Sequence, residues 1–293
     1  MKALYDVPAP AKLNLFLHVV GRRPDGMHLL QSAFMLIDWC DTLHFERRAD
    51  GGLSRQDLGG PLLPADDLVL AAARALRQAG GGAHGAHIAI DKRIPSQAGM
   101  GGGSSDAATC LLALNRLWAL NLSLPALARI GLALGADVPF FLYGRNALVE
   151  GIGERTRPVS LPPARFAVVK PTQGLATARI FADAQLKRDS DPATISGFAA
   201  NPSATMDPYR FGRNDLQPVA QRLCPQVSEA LEWLGSQGLQ GRMTGSGSAV
   251  FAPLPAGGTM RAAPEGWTAR ECGNLEVHPL AGWAPSDDSS VVG

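Results

Sequence analysis

A glycine-rich segment that runs directly into an amphipathic helix is the feature that most constrains this fold. It extends from Pro95 to Cys110 and contains Gly99 and three consecutive glycines, followed by two serines. Glycines permit positive φ angles and let a ligand approach the backbone closely. Apolar residues at helical spacing predict that the helix begins near Ser104 or Ser105. Because unpaired N–H groups at a helix N-terminus attract anions, the junction is typical of a phosphate-binding loop.

The loop differs from the two common nucleotide-binding motifs. It contains neither the Gly-Lys-Ser/Thr ending of a Walker A loop nor the Gly-x-Gly-x-x-Gly pattern of a dinucleotide-binding fold. The simpler interpretation is a glycine-rich turn with a serine N-cap. Three consecutive glycines exceed what a cap requires, which favours phosphate binding.

Length, charge and cysteine content narrow the class of protein. The chain has 293 residues, more than one hydrophobic core usually holds, so two domains are expected. Its net charge of +1 gives no overall field to attract nucleic acid or an acidic membrane. The four cysteines are widely separated, which indicates a reducing compartment and no zinc site. We expect a cytoplasmic protein without nucleic-acid or membrane partners, and a monomer or weak homodimer.

Periodicity predicts an α/β protein with a β-rich beginning. The first half is expected to hold strands at 13–20, 32–37, 42–45, 87–90, 139–143 and 147–150, an exposed loop at 50–67, and helices at 68–78, 104–120 and 124–134. The proline-rich stretch 157–163 suggests a boundary between domains 1–160 and 161–293. Beyond it we expect a strand at 166–169, helices at 176–186, 215–223 and 227–237, a glycine-rich hairpin, and a disordered tail from Pro285 to Gly293.

Polar residues suited to chemistry stand in two segments near the N-terminus. Lys12 and Asn14 share one face of a predicted strand, because side chains alternate across it. The alternative for Lys12 is a solvated edge residue. His28 follows a polar turn, and a neutral imidazole donates one hydrogen bond and accepts another, as recognition of a heterocycle requires. The alternative is a partly exposed turn histidine.

Two later segments carry further candidates. Asp137 lies between a predicted helix end and an apolar, aromatic predicted strand, a setting that suits a general base for a substrate hydroxyl. The alternative is an aspartate that stabilises its own turn. In the C-terminal half, Gly245 and Gly247 alternate with hydroxyl residues between two apolar runs. This pattern indicates a hairpin that packs against the phosphate loop or its ligand.

In order and spacing, these segments together resemble the GHMP kinases. The resemblance extends from residue 9 to about residue 253 and is carried by Pro-Ala-Lys-Leu-Asn-Leu-Phe-Leu, Arg-Arg-Pro-Asp-Gly-Met-His, Ala-Gly-Met-Gly-Gly-Gly-Ser-Ser-Asp-Ala-Ala, Gly-Ala-Asp-Val-Pro-Phe-Phe and Asn214-Asp215-Leu216. It implies a two-domain, two-layer α+β kinase fold with ATP as co-substrate and Mg²⁺. The Asp-Gly-x-His turn and the Gly-Ala-Asp-Val-Pro-Phe-Phe segment point to the branch that phosphorylates the tertiary 2-hydroxyl of a cytidine diphosphate conjugate of methylerythritol, in the non-mevalonate route to isoprenoid precursors.

The resemblance also implies roles for individual residues. Asp137 would be the base, and Lys12 beside it would hold the reacting hydroxyl. The ATP phosphates would be bound by Pro95, Gly99, Gly101, Gly102, Gly103, Ser104 and Ser105. The substrate would contact Asn14, Met27, His28, Ile152, Thr177 and Phe181. No set of metal ligands is assigned, although a loop serine is a candidate.

Two positions depart from the family pattern. Met27 stands where a tyrosine usually covers one face of the cytosine, which predicts a weaker aromatic sandwich. Asp67 replaces an asparagine near the adenine, yet serves equally well as a helix N-cap. Two other functions stay open: a related kinase acting on mevalonate, homoserine or a sugar, and a nucleotide-binding or RNA-associating protein that keeps the fold without catalysis.

Overall fold

A long antiparallel hairpin forms the centre of the fold. The computed structural model describes residues 1–60, 62–193 and 207–286. Strand β1 (Ala3–Arg22) pairs with β2 (His28–Arg48). The turn between them is closed by Gly26 at φ +87° and by Asp25, whose carboxylate accepts the N–H of Met27. The predicted alternation is confirmed, because Leu13 and Leu15 are buried in a core while the side chains of Lys12 and Asn14 hydrogen-bond to each other.

The remaining strands extend this hairpin into one mixed sheet. They are β3 (Leu53–Gly59), β4 (Gly85–Asp91), β5 (Ala147–Gly151), β6 (Arg155–Pro158), β7 (Arg165–Lys170), β8 (Arg242–Met243), β9 (Val250–Pro253) and β10 (Thr268–Leu275). The order along the sheet is β3-β4-β2-β10-β7-β9-β8, with β1 and β5 also paired to β2, and β6 to β5. Among the described strands only β3 and β4 pair in parallel, so the fold is of the α+β type that the family resemblance implied.

Seven described helices are numbered here along the chain. They are α1 (Leu68–Ala79), α2 (Gly102–Leu117), α3 (Leu124–Leu134), α4 (Val138–Tyr143), α5 (Thr177–Phe181), α6 (Gln217–Leu223) and α7 (Gln226–Gly235). Asp67 caps α1 as expected, accepting hydrogen bonds from the amides of Leu70 (3.1 Å) and Val69 (3.3 Å). In the described part of the chain, no helix is both long and apolar enough to cross a membrane.

Three apolar cores hold these elements together. The first lies between the sheet and helices α1 to α4, with Leu111 and Phe141 at full burial. The second joins the two halves of the chain, because Leu13 and Met35 of the central hairpin pack with Phe166 and Phe251 of β7 and β9. The third lies between β7 to β9 and helices α6 and α7. Most of the central hairpin is therefore buried on both faces.

The predicted strand at 139–143 is wrong, because Val138–Tyr143 forms helix α4. Pro139 lies in the first turn, where its fixed φ suits a helix and its missing N–H costs nothing. Gly144 then ends the helix in the left-handed conformation, at φ +64°. From the sequence alone, the apolar run of Phe140 and Phe141 fits a buried strand as well as a buried helix, because periodicity does not separate the two over so short a run.

Other differences from the predicted elements come from pairing partners that are distant in sequence. The predicted loop 50–67 contains β3, a polar strand whose backbone pairs with β4. The predicted strands 32–37 and 42–45 are one continuous β2, in which the interrupting Asp41 is neutralised by Lys92. β10 forms in the weakly patterned C-terminal region, and α5 ends at Phe181 rather than 186. The predicted disorder of the tail falls largely on residues 287–293, which lie outside the described residues.

Candidate active site

One cavity of about 520 Å³ lies between the central hairpin, the glycine loop and the C-terminal hairpin. The predicted site residues on its wall are Lys12, Asn14, Pro95, Gly99, Gly101, Gly102, Gly103, Ser104, Asp137, Ile152, Thr177 and Phe181. Residues predicted from segments far apart in the chain therefore line a single space. Ser105, Met27 and His28 are not part of its lining.

The glycine loop takes a backbone path that side chains would block. Gly99 and Gly101 both have φ +71°, and Gly101 is the N-cap of α2. A Cβ on Gly99 would lie 2.2 Å from the carbonyl oxygen of Thr244, in the C-terminal hairpin. The packing of this hairpin against the loop is thus confirmed. Asn214 holds the hairpin in place, because its amide donates to the carbonyls of Met243 and Gly245, both at 2.8 Å.

The two loop serines have different surroundings. Ser104 lies in the first turn of α2 on the cavity wall. Ser105 is fully buried, and its hydroxyl donates to the carbonyl of Pro10 at 2.7 Å while its amide donates to Gly101 at 2.9 Å. The hydroxyl of Ser105 therefore ties α2 to β1.

A buried lysine and a half-buried carboxylate face each other across the cavity floor. Nζ of Lys12 lies 3.6 Å from Oδ2 of Asp137 and donates a hydrogen bond to Oδ1 of Asn14. The amide group of Asn14 donates to Ser32 at 2.9 Å, and the backbone N–H of Asn14 donates to Thr244 at 2.9 Å. Lys12 is 4 % exposed. This arrangement fixes the ammonium group beside the carboxylate.

Burial changes the proton affinity of Lys12. Loss of hydration lowers the pKa of Lys12, and the nearby charge of Asp137 opposes part of that change. The ring of Phe34 lies 4.6 Å below the ammonium group, which adds a favourable cation–π contact. Asp137 directly precedes α4, whose Phe140 and Phe141 are buried in the first core.

Sequence reasoning missed a second charged cluster in the cavity. Nζ of Lys92, at the end of β4, pairs with Asp41 of β2 and lies 2.6 Å from Oδ2 of Asp106, in the second turn of α2. Oδ1 of Asp106 is buried without a partner in the described part of the chain. Burial raises the pKa of Asp106, and the nearby charge of Lys92 opposes that change. Asp106 stood within the predicted loop motif, but only the fold brings Lys92 and Asp41 to it.

The other end of the cavity is lined by less charged residues. The hydroxyl of Thr177 lies 2.7 Å from that of Ser246 in the C-terminal hairpin. The ring of Phe181 lies against that of His28, with centroids 4.9 Å apart. His28 therefore adjoins the cavity through Phe181. Met27 beside it is 48 % exposed and contributes nothing to the lining.

Two family models match the chain. One, described as GHMP kinases N terminal domain, matches residues 67–145, and the other, GHMP kinases C terminal, matches residues 206–268. The fold, the glycine loop and the two family matches together show that this protein is a GHMP kinase. Proteins called 4-diphosphocytidyl-2-C-methyl-D-erythritol kinase are 66% identical in Albidiferax ferrireducens, over 99% of both chains, and 64% identical in Variovorax paradoxus, over 97% of this chain and 100% of that one. This chain belongs to the 4-diphosphocytidyl-2-C-methyl-D-erythritol kinase family.

Solved structures agree with this assignment. A crystal structure of 4-(cytidine 5'-diphospho)-2C-methyl-D-erythritol kinase superimposes with a TM-score of 0.73 at 32% identity, over 91% of this chain and 98% of that one. The homoserine kinase of Cytophaga hutchinsonii superimposes with a TM-score of 0.68 at 16% identity, over 95% of this chain and 96% of that one. At that identity the second likeness concerns the fold alone.

Proposed function

We propose that this chain transfers the γ-phosphoryl group of ATP to the 2-hydroxyl of 4-diphosphocytidyl-2-C-methyl-D-erythritol. The observation that carries the proposal is the pair of Lys12 and Asp137, 3.6 Å apart, in the same cavity as the N-terminus of α2. A base and a buried cation at one end of a space with an anion-binding helix end suit phosphoryl transfer to an alcohol. The names of the close relatives support the choice of substrate.

In this mechanism Asp137 orients the substrate hydroxyl and accepts its proton. The hydroxyl oxygen forms a bond to the γ-phosphorus while the bond from that phosphorus to the β–γ bridging oxygen breaks, with ADP as the leaving group. The ammonium group of Lys12 stabilises the charge that develops on the attacking oxygen. Asn14 fixes Lys12 in place through the hydrogen bond between their side chains. A tertiary alcohol is a crowded nucleophile, so this positioning supplies much of the rate.

The residues present fit a Mg²⁺ ion held mainly by the nucleotide. Mg²⁺ in kinases commonly takes one or two carboxylates together with phosphate oxygens and water. Among the described residues, the unpartnered Oδ1 of Asp106 on the cavity wall is suited to this, with the hydroxyl of Ser104 nearby in the same helix. When bound, the ion would neutralise charge on the phosphates. No group of three or more possible ligands occurs among His, Cys, Asp and Glu side chains within the described ranges.

The remaining predicted residues suit the nucleoside end of the substrate. Phe181 offers an aromatic face for stacking a base, and Ile152 and Thr177 line the same end of the cavity. Met27 lies outside this lining, so the base would be covered by an aromatic ring on one face only.

Release of ADP tests the proposal directly. Purified protein is incubated with ATP, Mg²⁺ and 4-diphosphocytidyl-2-C-methyl-D-erythritol, with mevalonate, homoserine and galactose as parallel substrates. We expect turnover with the cytidine diphosphate conjugate alone. Turnover with mevalonate or homoserine instead would assign the chain to a different GHMP activity, and nucleotide binding without turnover of any alcohol would indicate a non-catalytic protein.

A further inference from the structure

The side chain of Arg188 connects the ring of His28 to the backbone of Phe181, near the nucleoside end of the cavity. Its Nε–H donates to Nε2 of His28 at 3.0 Å. Its two terminal nitrogens donate to the backbone carbonyls of Leu186 (3.0 Å), Phe181 (3.0 Å) and Asp183 (2.8 Å). One guanidinium group therefore joins the start of β2 to the segment that follows α5.

This contact determines which nitrogen of His28 carries the proton. An arginine N–H can only donate, so Nε2 of His28 must accept, and a neutral ring then carries its hydrogen on Nδ1. Partial burial and the positive charges of Arg188 and Arg22 hold the pKa of His28 below its usual value. The ring is accordingly neutral near pH 7. Within the described ranges, Nδ1 has no protein partner.

We propose that Arg188 is a positioning residue that holds His28 in the Nδ1–H tautomer, so that the ring presents one hydrogen-bond donor to the acceptor edge of a cytosine base. The inference rests on the proposed function for the identity of that base. Cytosine carries acceptors at ring N3 and O2, which a lone N–H donor complements. The same guanidinium holds the carbonyl of Phe181, whose ring contacts His28, so one side chain orients both groups.

Nitrogen NMR of the imidazole tests the tautomer without any substrate. Uniformly ¹⁵N-labelled enzyme is compared with Arg188→Gln and Arg222→Gln in long-range proton–nitrogen spectra, with His28→Gln used to assign the signal. We expect the Nδ1–H pattern for His28 in the parent enzyme and in Arg222→Gln. In Arg188→Gln we expect a mixture of both tautomers, because Nε2 is no longer required to accept.

Arg222 provides a matched control for the loss of a guanidinium group. It pairs with the carboxylate of Asp183 at 2.6 Å, and so contacts the same segment as Arg188, but it makes no contact with His28. Loss of Arg222 therefore reports the effect of loosening this segment alone. Arg188→Lys, which keeps one donor for His28, is expected to retain most of the Nδ1–H form.

Titration with CDP tests the consequence for binding. We expect Arg188→Gln to weaken CDP affinity about tenfold, the usual effect of losing one hydrogen bond to a ligand. The KM of ATP and kcat should stay within twofold of the parent enzyme, and Arg222→Gln should bind CDP normally. Combining His28→Gln with Arg188→Gln should add little to either single loss, because the two residues act through one hydrogen bond.

Several results would overturn the inference. An Nε2–H pattern in the parent enzyme would do so, as would an unchanged tautomer in Arg188→Gln. An equal loss of CDP affinity in Arg188→Gln and Arg222→Gln would also overturn it, because that result would assign Arg188 a purely structural role. Failure of the proposed function is recognised separately, since it abolishes turnover of the cytidine diphosphate conjugate in the parent enzyme while leaving the His28 spectrum unaffected.

Discussion

The buried charge of Lys12 is retained beside a second charge. Lys12 is almost completely buried, yet Asp137 lies 3.6 Å away and Asn14 accepts a hydrogen bond from it. An isolated buried ammonium group would cost several kcal/mol and would lose its proton instead. The ammonium group and the carboxylate stand together in a partly buried setting, where charges act more strongly on a substrate hydroxyl than they would in water.

Replacement of Asp137 by alanine tests the proposed base. We expect kcat to fall about 10²- to 10⁴-fold, the usual contribution of a general base, while a non-hydrolysable ATP analogue binds with unchanged affinity. Steady-state ADP release and calorimetric titration measure the two effects. Asp6→Ala is the control, because its side chain is 88 % exposed. Near-normal turnover of Asp137→Ala would remove this residue from the mechanism.

His278 is a buried histidine whose protonation opposes folding. Its Nδ1 accepts the N–H of Leu280 at 3.0 Å, and burial lowers the pKa of His278 to about 4 from an ordinary value of 6.5. Between pH 6.5 and about pH 4, the unfolded chain therefore binds a proton at this histidine and the folded chain does not. Stability contributed by the neutral ring is present above pH 6.5 and decreases as the pH falls through this window.

Urea unfolding at several pH values tests this effect. As the pH falls from 7 to 4, we expect protonation linked to His278 to lower the free energy of unfolding by about 3 kcal/mol. This value follows from a pKa difference of about 2.5, with about 1.36 kcal/mol for a pKa difference of one. His278→Asn keeps an acceptor for Leu280 but does not titrate, so its stability should fall correspondingly less over the same range. Parallel pH profiles for the two proteins would contradict the prediction.

Among the elements, the glycine loop and the C-terminal hairpin depend on each other. The loop can pass over the hairpin only because Gly99 lacks a side chain, and the hairpin keeps its position through Asn214. In return, the hairpin carries Ser246, which reaches Thr177 at the opposite end of the cavity. A substitution that disturbs the contact between Gly99 and the hairpin should therefore alter both the stability of the protein and its nucleotide binding.

A pair of glycine substitutions separates backbone strain from steric contact. Gly99 and Gly81 have similar φ angles, +71° and +66°, but a Cβ on Gly99 meets Thr244 whereas one on Gly81 meets nothing within 4 Å. Gly81→Ala should cost about 1 kcal/mol, the usual penalty of the left-handed conformation. Gly99→Ala should cost about 2 kcal/mol more through overpacking, and should also weaken ATP binding.

Urea denaturation and titration with an ATP analogue measure these two effects. Equal stability losses in the two variants would show that the loop moves away from the hairpin without cost. In that case the close approach at Gly99 would have no energetic role.

On the scale of the whole molecule, the central hairpin is shared between the two halves of the chain. β2 pairs with β10 at Asn274 and Leu275, and the second core combines side chains from both sides of residue 160. We retain the division into domains 1–160 and 161–293 as a proposal about architecture. The shared core indicates that the two parts do not unfold independently.

Differential scanning calorimetry tests this cooperativity. We expect one transition whose calorimetric and van't Hoff enthalpies agree, because separating the halves would expose Leu13, Met35, Phe166 and Phe251 to water. A fragment ending at residue 160 should likewise fail to give a cooperative transition. Two resolved transitions in the full chain would instead establish two independent domains.

The sequence by itself determined the local features of this protein. The spacing around the glycine loop predicted helix α2, although the helix begins at Gly102 rather than near Ser104 or Ser105. Alternation predicted the shared face of Lys12 and Asn14, and Asp67 predicted the start of α1. Each of these depends on neighbours a few residues away, whose geometry follows from backbone periodicity. The motifs, in their order, were also sufficient to indicate the GHMP kinase class that the comparisons established.

Only the tertiary structure decided the features that depend on partners distant in the chain. The polar strand β3 forms because β4 supplies its hydrogen bonds. The apolar run of α4 could be buried as a strand or as a helix, and the tertiary structure decides for the helix. Lys92 joins Asp41 and Asp106 across separations of 51 and 14 residues, and Arg188 reaches His28 across 160. Local periodicity carries no information about such contacts, because loop closure and core packing select them.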